Sequence, residues 1–374
     1  MWKVVFRWYG ENHDPIPLEY IRQIPGVSGI VGMLMDVPTG EVWPKEQVFA
    51  LKRTIEEHGL TFEVVESVNV HEDIKLGLPS RDRYIENYLK TLEHLAEAGV
   101  KVVVYNFMPI FDWFRTELWA TLPDGSKTMA YDHSMVSLLS PQDVIARMKQ
   151  EGGSFALPGW EWERLTAIER LFALYEGMTE EELFTNLAYF LKAVVPYCEK
   201  IGIKLAIHPD DPPFSIFGLP RIVKTKEDIL RILNVYDSPC NGVTLCTGSL
   251  GVREDNDLPD MVRTFGAMGR LHFVHLRNIL RDGAKIYEVA HPSFCGSLNM
   301  FAIVKELVRM RYSGYMRPDH GRMIWGEKGR PGYGLYDRAL GIAYLLGLWE
   351  GTEKSLSPLD EKGEDFYNPS TKSE

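Results

Sequence analysis

The sequence predicts an α/β protein of the (β/α)8 TIM-barrel class with a long insertion after the fourth strand. Three observations carry this reading. Eight short, apolar, β-branched runs recur along the chain, with segments of helical periodicity between them. Strand and helix alternating throughout imply parallel strands, and eight such units imply a closed barrel over an open sheet. The competing doubly wound sheet usually carries a glycine-rich phosphate turn after its first strand, whereas here that turn reads RWYGENHD, with no GxGxxG.

In chain order, the predicted strands are 3–8, 29–34, 61–68, 101–107, 204–208, 242–246, 271–276 and 315–319. The helical segments are 44–58, 83–98, 180–201, 226–236, 258–268 and 299–311, with a closing helix at 336–346. The chain has 374 residues, more than the roughly 250 of a bare barrel but within the range reached with insertions. One interval is abnormal: about seventy residues rich in Trp, Pro and Gly separate strand four from the helix at Glu180. We read 108–179 as an insertion over the barrel mouth, carrying Trp113, Trp119, Trp160 and Trp162. The expectation is therefore one barrel domain over 1–350, followed by a Ser-, Lys- and Glu-rich tail, 351–374.

Composition excludes several classes of function. A net charge of -11 argues against a general nucleic-acid or anionic-membrane binder, because both need basic surface to meet phosphate. A small anionic substrate stays possible, since a few local cations can dominate one pocket. No stretch reaches membrane-spanning length, and the start lacks the continuous apolar run of a signal peptide. Cys198, Cys240, Cys246 and Cys295 form no CxxC pair, which fits a reducing cytoplasm.

In a barrel the active site is built where strands end, so the residue closing each strand is the one to read. Strands five to eight end at His208, Cys246, His275 and Asp319, in the motifs HPDDPP, LCTGSLG, HFVHLRN and RPDHGR. Two imidazoles, a thiolate and a carboxylate are all metal-ligand types. Their spacings of 38, 29 and 44 residues each match one strand–helix–strand unit. A lone histidine is more often a hydrogen-bonded structural residue, a lone buried cysteine is usually packing, and Asp319 alone could cap a helix. Joint occurrence at four successive strand ends favours a metal site. The ligand chemistry alone would favour Zn2+ or Fe2+.

Other candidates surround this ring. His320 follows Asp319 and could carry protons near neutrality, or make a supporting hydrogen bond. Tyr333 lies in the loop RPGYGLYD, where it could fold over the mouth. Arg7, Trp8, Asn106, Arg277 and Asn278 stand at or just past strand ends and could bind hydroxyls or a carboxylate. Asp210 and Asp211 could be ligands, supporting bases or turn residues, and His71 and Glu66 could reach the pocket.

These motifs, together with FRWYG, IRQIPGVSGIV, PTGEVW, VVESVNVHEDIKLG, YNFMPIFDW and the inserted LPDGSKTMAYD, resemble the D-mannonate dehydratase family of xylose-isomerase-like barrels, up to about Gly347. The resemblance implies dehydration of D-mannonate to 2-dehydro-3-deoxy-D-gluconate in hexuronate catabolism, with Mn2+ or Fe2+ in place of zinc. It implies that His208, Cys246, His275 and Asp319 hold the metal and that His320 and a loop tyrosine, Tyr333 or Tyr336, act on protons. On this reading the metal chelates the substrate and stabilises the enediolate formed when the C2 proton leaves. The implied partner is a small sugar acid, with no nucleic acid or membrane, and a homodimer is the expected oligomer. Two other readings share the pocket: a metal-dependent sugar isomerase or epimerase, and a non-catalytic sugar-acid binding protein.

Overall fold

The computed structural model describes residues 2–136, 138–140, 143, 146 and 162–356. Twelve strands are present among them, β1 (Lys3–Arg7), β2 (Val27–Gly32), β3 (Thr61–Glu66), β4 (Val102–Tyr105), β5 (Glu117–Thr121), β6 (Lys127–Asp132), β7 (Lys204–Ile207), β8 (Asn241–Cys246), β9 (Leu271–His275), β10 (Asn278–Asp282), β11 (Lys285–Val289) and β12 (Tyr315–Arg317). Eight of these close into a barrel in the order β1-β12-β9-β8-β7-β4-β3-β2. Every neighbouring pair is parallel, as in β1 with β2, β4 with β7 and β12 with β9. All eight expected strands are there, most of them ending one or more residues early; Cys246 and His275 close β8 and β9, whereas His208 and Asp319 lie just beyond β7 and β12.

Val5, Val31, Val64, Val102, Val104, Ala206, Phe273 and Tyr315 fill the barrel interior. β-branched side chains dominate because they suit a pleated surface buried on both faces. A larger core lies between barrel and helices, fed by the apolar faces of helices such as Lys45–Glu57, Arg81–Glu97, Glu180–Ile201 and Met300–Arg309. The longest of these opens with a capping box at Thr179 and Glu182 and stops at Gly202, whose φ of 72° suits glycine. The last helix spans Tyr336–Leu356, ten residues beyond its expected end, so the first residues of the expected tail continue a helix. Trp349 on that helix meets Trp2, with ring centroids 4.4 Å apart, which joins the end of the described chain to its beginning.

Four strands were not expected. They form a separate antiparallel sheet in the order β10-β11-β6-β5. β5 and β6 are a hairpin inside the long insertion, and β10 and β11 are a second hairpin directly after β9. The two hairpins join through β6 and β11, with Ile286 opposite Tyr131. The insertion also has a core of its own, in which Phe111, Trp113, Phe114, Met129 and Tyr131 pack with Ile216 and Leu219. Trp119, expected with the others, is 41% exposed. Trp162 starts a helix (Trp162–Tyr175), and Trp160 lies outside the described residues. A buried ion pair ties the insertion to the barrel: Lys75 Nζ lies 2.9 Å from Glu72 Oε1 and donates to Met108 O at 2.8 Å, while Tyr175 Oη donates to Glu72 Oε2 at 2.5 Å.

At the opposite end, Gly242 in β8 makes room for His272. A Cβ at Gly242 would lie 2.2 Å from His272 Cε1, closer than any side chain tolerates. His272 Nδ1 donates to Leu205 O at 2.7 Å. Burial presses this imidazole down to about 4 from its ordinary 6.5, against the opposing effect of the Leu205 carbonyl. The unfolded chain therefore takes up this proton first as pH falls. The stabilising contribution is intact above 6.5 and is lost progressively down to about 4. We predict that urea midpoints of the parent fall across this window, and that His272→Gln shows a shallower fall, by about 3 kcal/mol over the interval. Equal slopes for the two proteins would remove this assignment.

Candidate active site

Side chains alternate between the two faces of a strand, so residues two apart share a face. Stepping two residues on from the interior fillers leads to the mouth of the barrel. Val5 leads to Arg7, Val64 to Glu66, Val104 to Asn106, Ala206 to His208, Phe273 to His275, and Tyr315 to Arg317 and then Asp319. Asp319 adopts a left-handed backbone with φ 59°, which a short polar side chain tolerates better than most. A pocket at the mouth is lined by residues that include Arg7, Asn106, Trp113, His208, His320 and Tyr333.

His208, Cys246 and His275 each bring one ligand atom within 4.8 Å of the others. The Nδ1 of His208 donates to Pro209 O at 2.7 Å, which leaves its Nε2 as the nitrogen able to coordinate. The Nδ1 of His275 is buried with no hydrogen-bond partner, and its Nε2 lies 3.0 Å from Arg317 Nε and 3.4 Å from Glu66 Oε2. Burial and the Asp319 carboxylate raise the Cys246 thiol, but Arg277 and the neighbouring imidazoles of His208 and His275 outweigh them and bring it down to about 5. For His208, burial is outweighed by the neighbouring Cys246, which lifts the imidazole to about 9. A buried orphan nitrogen beside a thiol of thiolate character is a donor set that fits a divalent transition-metal ion.

Asp319 stands beside this trio, its Oδ2 3.4 Å from Cys246 Sγ and its Oδ1 3.7 Å from His275 Nδ1. Both oxygens also meet cations, with Arg317 Nη2 and Arg277 Nε each at 2.8 Å. Burial opposes its ionisation, and His320, Arg317, Arg277 and His275 together hold it well below the usual carboxylate range. Gly248 permits the approach of Arg277, since a Cβ there would lie 2.0 Å from Arg277 Nε.

His320 Nε2 lies 2.9 Å from Tyr333 Oη, and its Nδ1 lies 2.9 Å from both oxygens of Glu288. Burial, with Tyr9 next in effect, keeps the Tyr333 phenol well above its ordinary value, so it is a proton donor at neutral pH. Tyr336, the other candidate tyrosine, opens the last helix, is 43% exposed and lies near Trp325, with ring centroids 5.7 Å apart.

The remaining expected residues divide. Arg7 and Asn106 line the pocket. Arg7 is 3% exposed; its guanidinium donates to Val31 O at 3.3 Å and the Met33 thioether at 2.7 Å and lies over the Tyr9 ring at 4.3 Å, with no carboxylate partner among the described residues. Trp8 does not belong with them: its face of β1 turns into the main core, where Nε1 donates to Ile16 O at 3.1 Å. Asn278 is likewise consumed by structure, accepting from Ile279 N and Leu298 N and donating to Pro292 O. Arg277 is fully enclosed and faces carboxylates, with Asp211 Oδ2 at 2.7 Å and Glu288 Oε1 at 2.5 Å. Asp210 lies away from the cluster and accepts from Val223 N. His71 caps a short helix and stacks on Tyr84. Sequence reasoning missed Arg115, Glu288 and Arg317. Arg317 could have been found from strand parity, because it precedes Asp319 by two. Arg115 and Glu288, which meet at 2.7 Å, lie 173 residues apart in unrecognised strands and loops.

Comparison with known proteins agrees with this geometry. A family model described as D-mannonate dehydratase (UxuA) matches residues 2–357. The mannonate dehydratase of Thermotoga neapolitana is 61% identical over 353 residues, covering 94% of this chain and 98% of its own length. The crystal structure of mannonate dehydratase from Streptococcus suis serotype 2 superposes with a TM-score of 0.86 at 44% identity, covering 95% of this chain and 96% of that one. A 3-keto-D-glucoside 4-epimerase from E. coli, at 15% identity and a TM-score of 0.53, covers 93% of this chain and all of its own, and shares the fold alone. No described helix is long and apolar enough to cross a membrane. The chain belongs to the D-mannonate dehydratase family and is a hydro-lyase.

Proposed function

We propose that this enzyme removes water from D-mannonate to give 2-dehydro-3-deoxy-D-gluconate, a step of hexuronate catabolism. The observation that carries the reading is the adjacency of the His208, Cys246 and His275 cluster to the His320–Tyr333 pair, with Asp319 touching both groups. Dehydration across C2 and C3 needs a proton taken from C2 and a proton given to the departing C3 hydroxyl. His320 takes the first and Tyr333, held protonated, gives the second; the enol product then tautomerises to a 2-keto acid. His208, Cys246, His275 and Asp319 would hold Mn2+ or Fe2+. When bound, such an ion supplies Lewis-acid charge that steadies the negative charge developing beside the substrate carboxylate.

Arg7 is the cation with the weakest protein partners in the pocket, which suits it to the sugar acid's carboxylate or distal hydroxyls. Asn106 accepts from Met108 N through Oδ1 and presents its amide to the same space. The insertion and the second sheet act as a cover that limits water at the mouth, within one catalytic unit. Four free thiols suit a reducing cytoplasm, and a homodimer is the simplest oligomer.

Incubating D-mannonate and a panel of ketoses with Mn2+- or Fe2+-loaded protein, followed by NMR of the products, tests the function. The expected result is a 2-keto-3-deoxy acid from mannonate alone. Unchanged mannonate, or conversion of a ketose in its place, overturns the reading. Cys246→Ala and His208→Ala are expected to lose most bound metal and activity together, as read by metal analysis beside turnover. His320→Ala and Tyr333→Phe should retain the metal and lose about a hundredfold or more in kcat. Arg7→Met should raise KM about ten- to a hundredfold with a smaller change in kcat, the effect of losing a charged hydrogen bond to substrate. An unchanged KM would remove Arg7 from substrate binding.

A further inference from the structure

We propose that Glu288 is a positioning residue for the proton-transfer pair: its carboxylate accepts a hydrogen bond from the Nδ1–H of His320, which commits that ring to exchanging protons through Nε2, on the side of Tyr333. The proposal rests on the reading of His320 and Tyr333 as the pair that moves protons.

Glu288 is almost fully buried at the end of β11, a strand outside the barrel. Two guanidiniums grip its Oε1, Arg277 Nη1 at 2.5 Å and Arg115 Nη2 at 2.7 Å. A carboxylate between two arginines is ionised, and an ionised carboxylate only accepts hydrogen bonds. His320 Nδ1 is 2.9 Å from both of its oxygens, so this nitrogen must be the donor. Arg277 Nη1 also lies 2.9 Å from Nδ1, which would suit a ring nitrogen acting as acceptor. That arrangement would turn a nitrogen lone pair towards two anionic oxygens, each 2.9 Å away. Electrostatics therefore favours Nδ1–H.

The consequence follows along the ring. With Nδ1–H committed, Nε2 is the exchangeable position, 2.9 Å from the Tyr333 hydroxyl and 3.7 Å from Asp319 Oδ1. Glu288 thereby aims the ring and selects its working nitrogen without touching substrate. Arg115 and Arg277 hold the carboxylate through Oε1, each also paired to Asp211, at 2.8 Å and 2.7 Å. Because Glu288 and Arg115 belong to different arms of the second sheet region, docking the cover on the barrel is what completes the alignment.

Two measurements test this. In full-length protein loaded with diamagnetic Zn2+ and labelled with 15N-histidine, two-bond nitrogen–proton spectra report which ring nitrogen carries the proton, and His320→Gln identifies the signal. The expected result is a protonated Nδ1 facing Glu288 in the parent; an Nε2–H tautomer overturns the proposal, even if no Glu288 variant folds. In the Mn2+ enzyme, Glu288→Gln should lower kcat for mannonate about ten- to a hundredfold, with KM and bound metal within about twofold and the His320 signal shifted. A kcat equal to the parent's overturns the proposal. So does a kcat loss that tracks loss of metal or of thermal stability while the His320 signal stays unchanged, since Glu288 would then be an ion-pair partner alone. If the parent does not turn over mannonate, the functional reading fails, and the parent's tautomer still decides the part played by Glu288.

Discussion

Charge in the mouth of this barrel is tolerable because most of the ions there are answered by others, Arg7 being the exception. Removing an ionised side chain from water costs several kcal/mol unless counter-charges and hydrogen bonds replace the lost solvent. Arg277 is the hub of that compensation, reaching Asp211, Glu288 and Asp319 with its three nitrogens. Arg317 does the same for Glu66 and Asp319, and Arg115 for Asp211 and Glu288. Four carboxylates, Glu66, Asp211, Glu288 and Asp319, meet three guanidiniums in this network, with the Cys246 thiol and the unpartnered His275 Nδ1 beside them. The same arrangement that makes the cluster affordable thus also makes it attractive to a metal.

This network joins two structures of different character. The barrel supplies residues at fixed heights, set by strand parity and by interior packing. The outer sheet supplies Glu288, and the loop leading into it supplies Arg115, from above. Neither part alone neutralises the mouth: without Arg115 and Glu288, Arg277 and Asp211 would each lack a partner. A fold known for positioning catalytic groups at strand ends is here extended by a second layer that holds those groups in one hydrogen-bonding state.

How far the sequence discloses this depends on the range of the contacts involved. Alternation and helical periodicity are local, so eight strands and their helices can be read directly, and the end of each strand points to His208, Cys246, His275 and Asp319. Parity also separates Arg7 from Trp8, adjacent residues that face opposite sides of β1, although residue type alone suggests both. Asn278 illustrates a different difficulty, because a side chain suited to binding hydroxyls is fully used in starting a hairpin. The second sheet escaped notice although each of its hairpins turns on an Asp-Gly pair, Asp124-Gly125 and Asp282-Gly283, because its strands are short and the pairing of β6 with β11 joins segments far apart in the chain. Glu288 looks like any exposed acid in KIYEV until β6 is laid beside it.

The pairing of β6 with β11 has a consequence for biosynthesis. The first hairpin leaves the ribosome some 150 residues before the strand that flanks it, and a two-stranded ribbon is marginal by itself in water. Its apolar side must wait, part-sheltered by Phe214 and the segment after β7, until β9 has been placed and the chain has doubled back through residues 278–289. The second sheet can therefore be completed only after seven of the eight barrel strands have been made. Chains interrupted before Glu288 would carry the strand-end histidines and cysteine but lack the carboxylate that Arg115, Arg277 and His320 share.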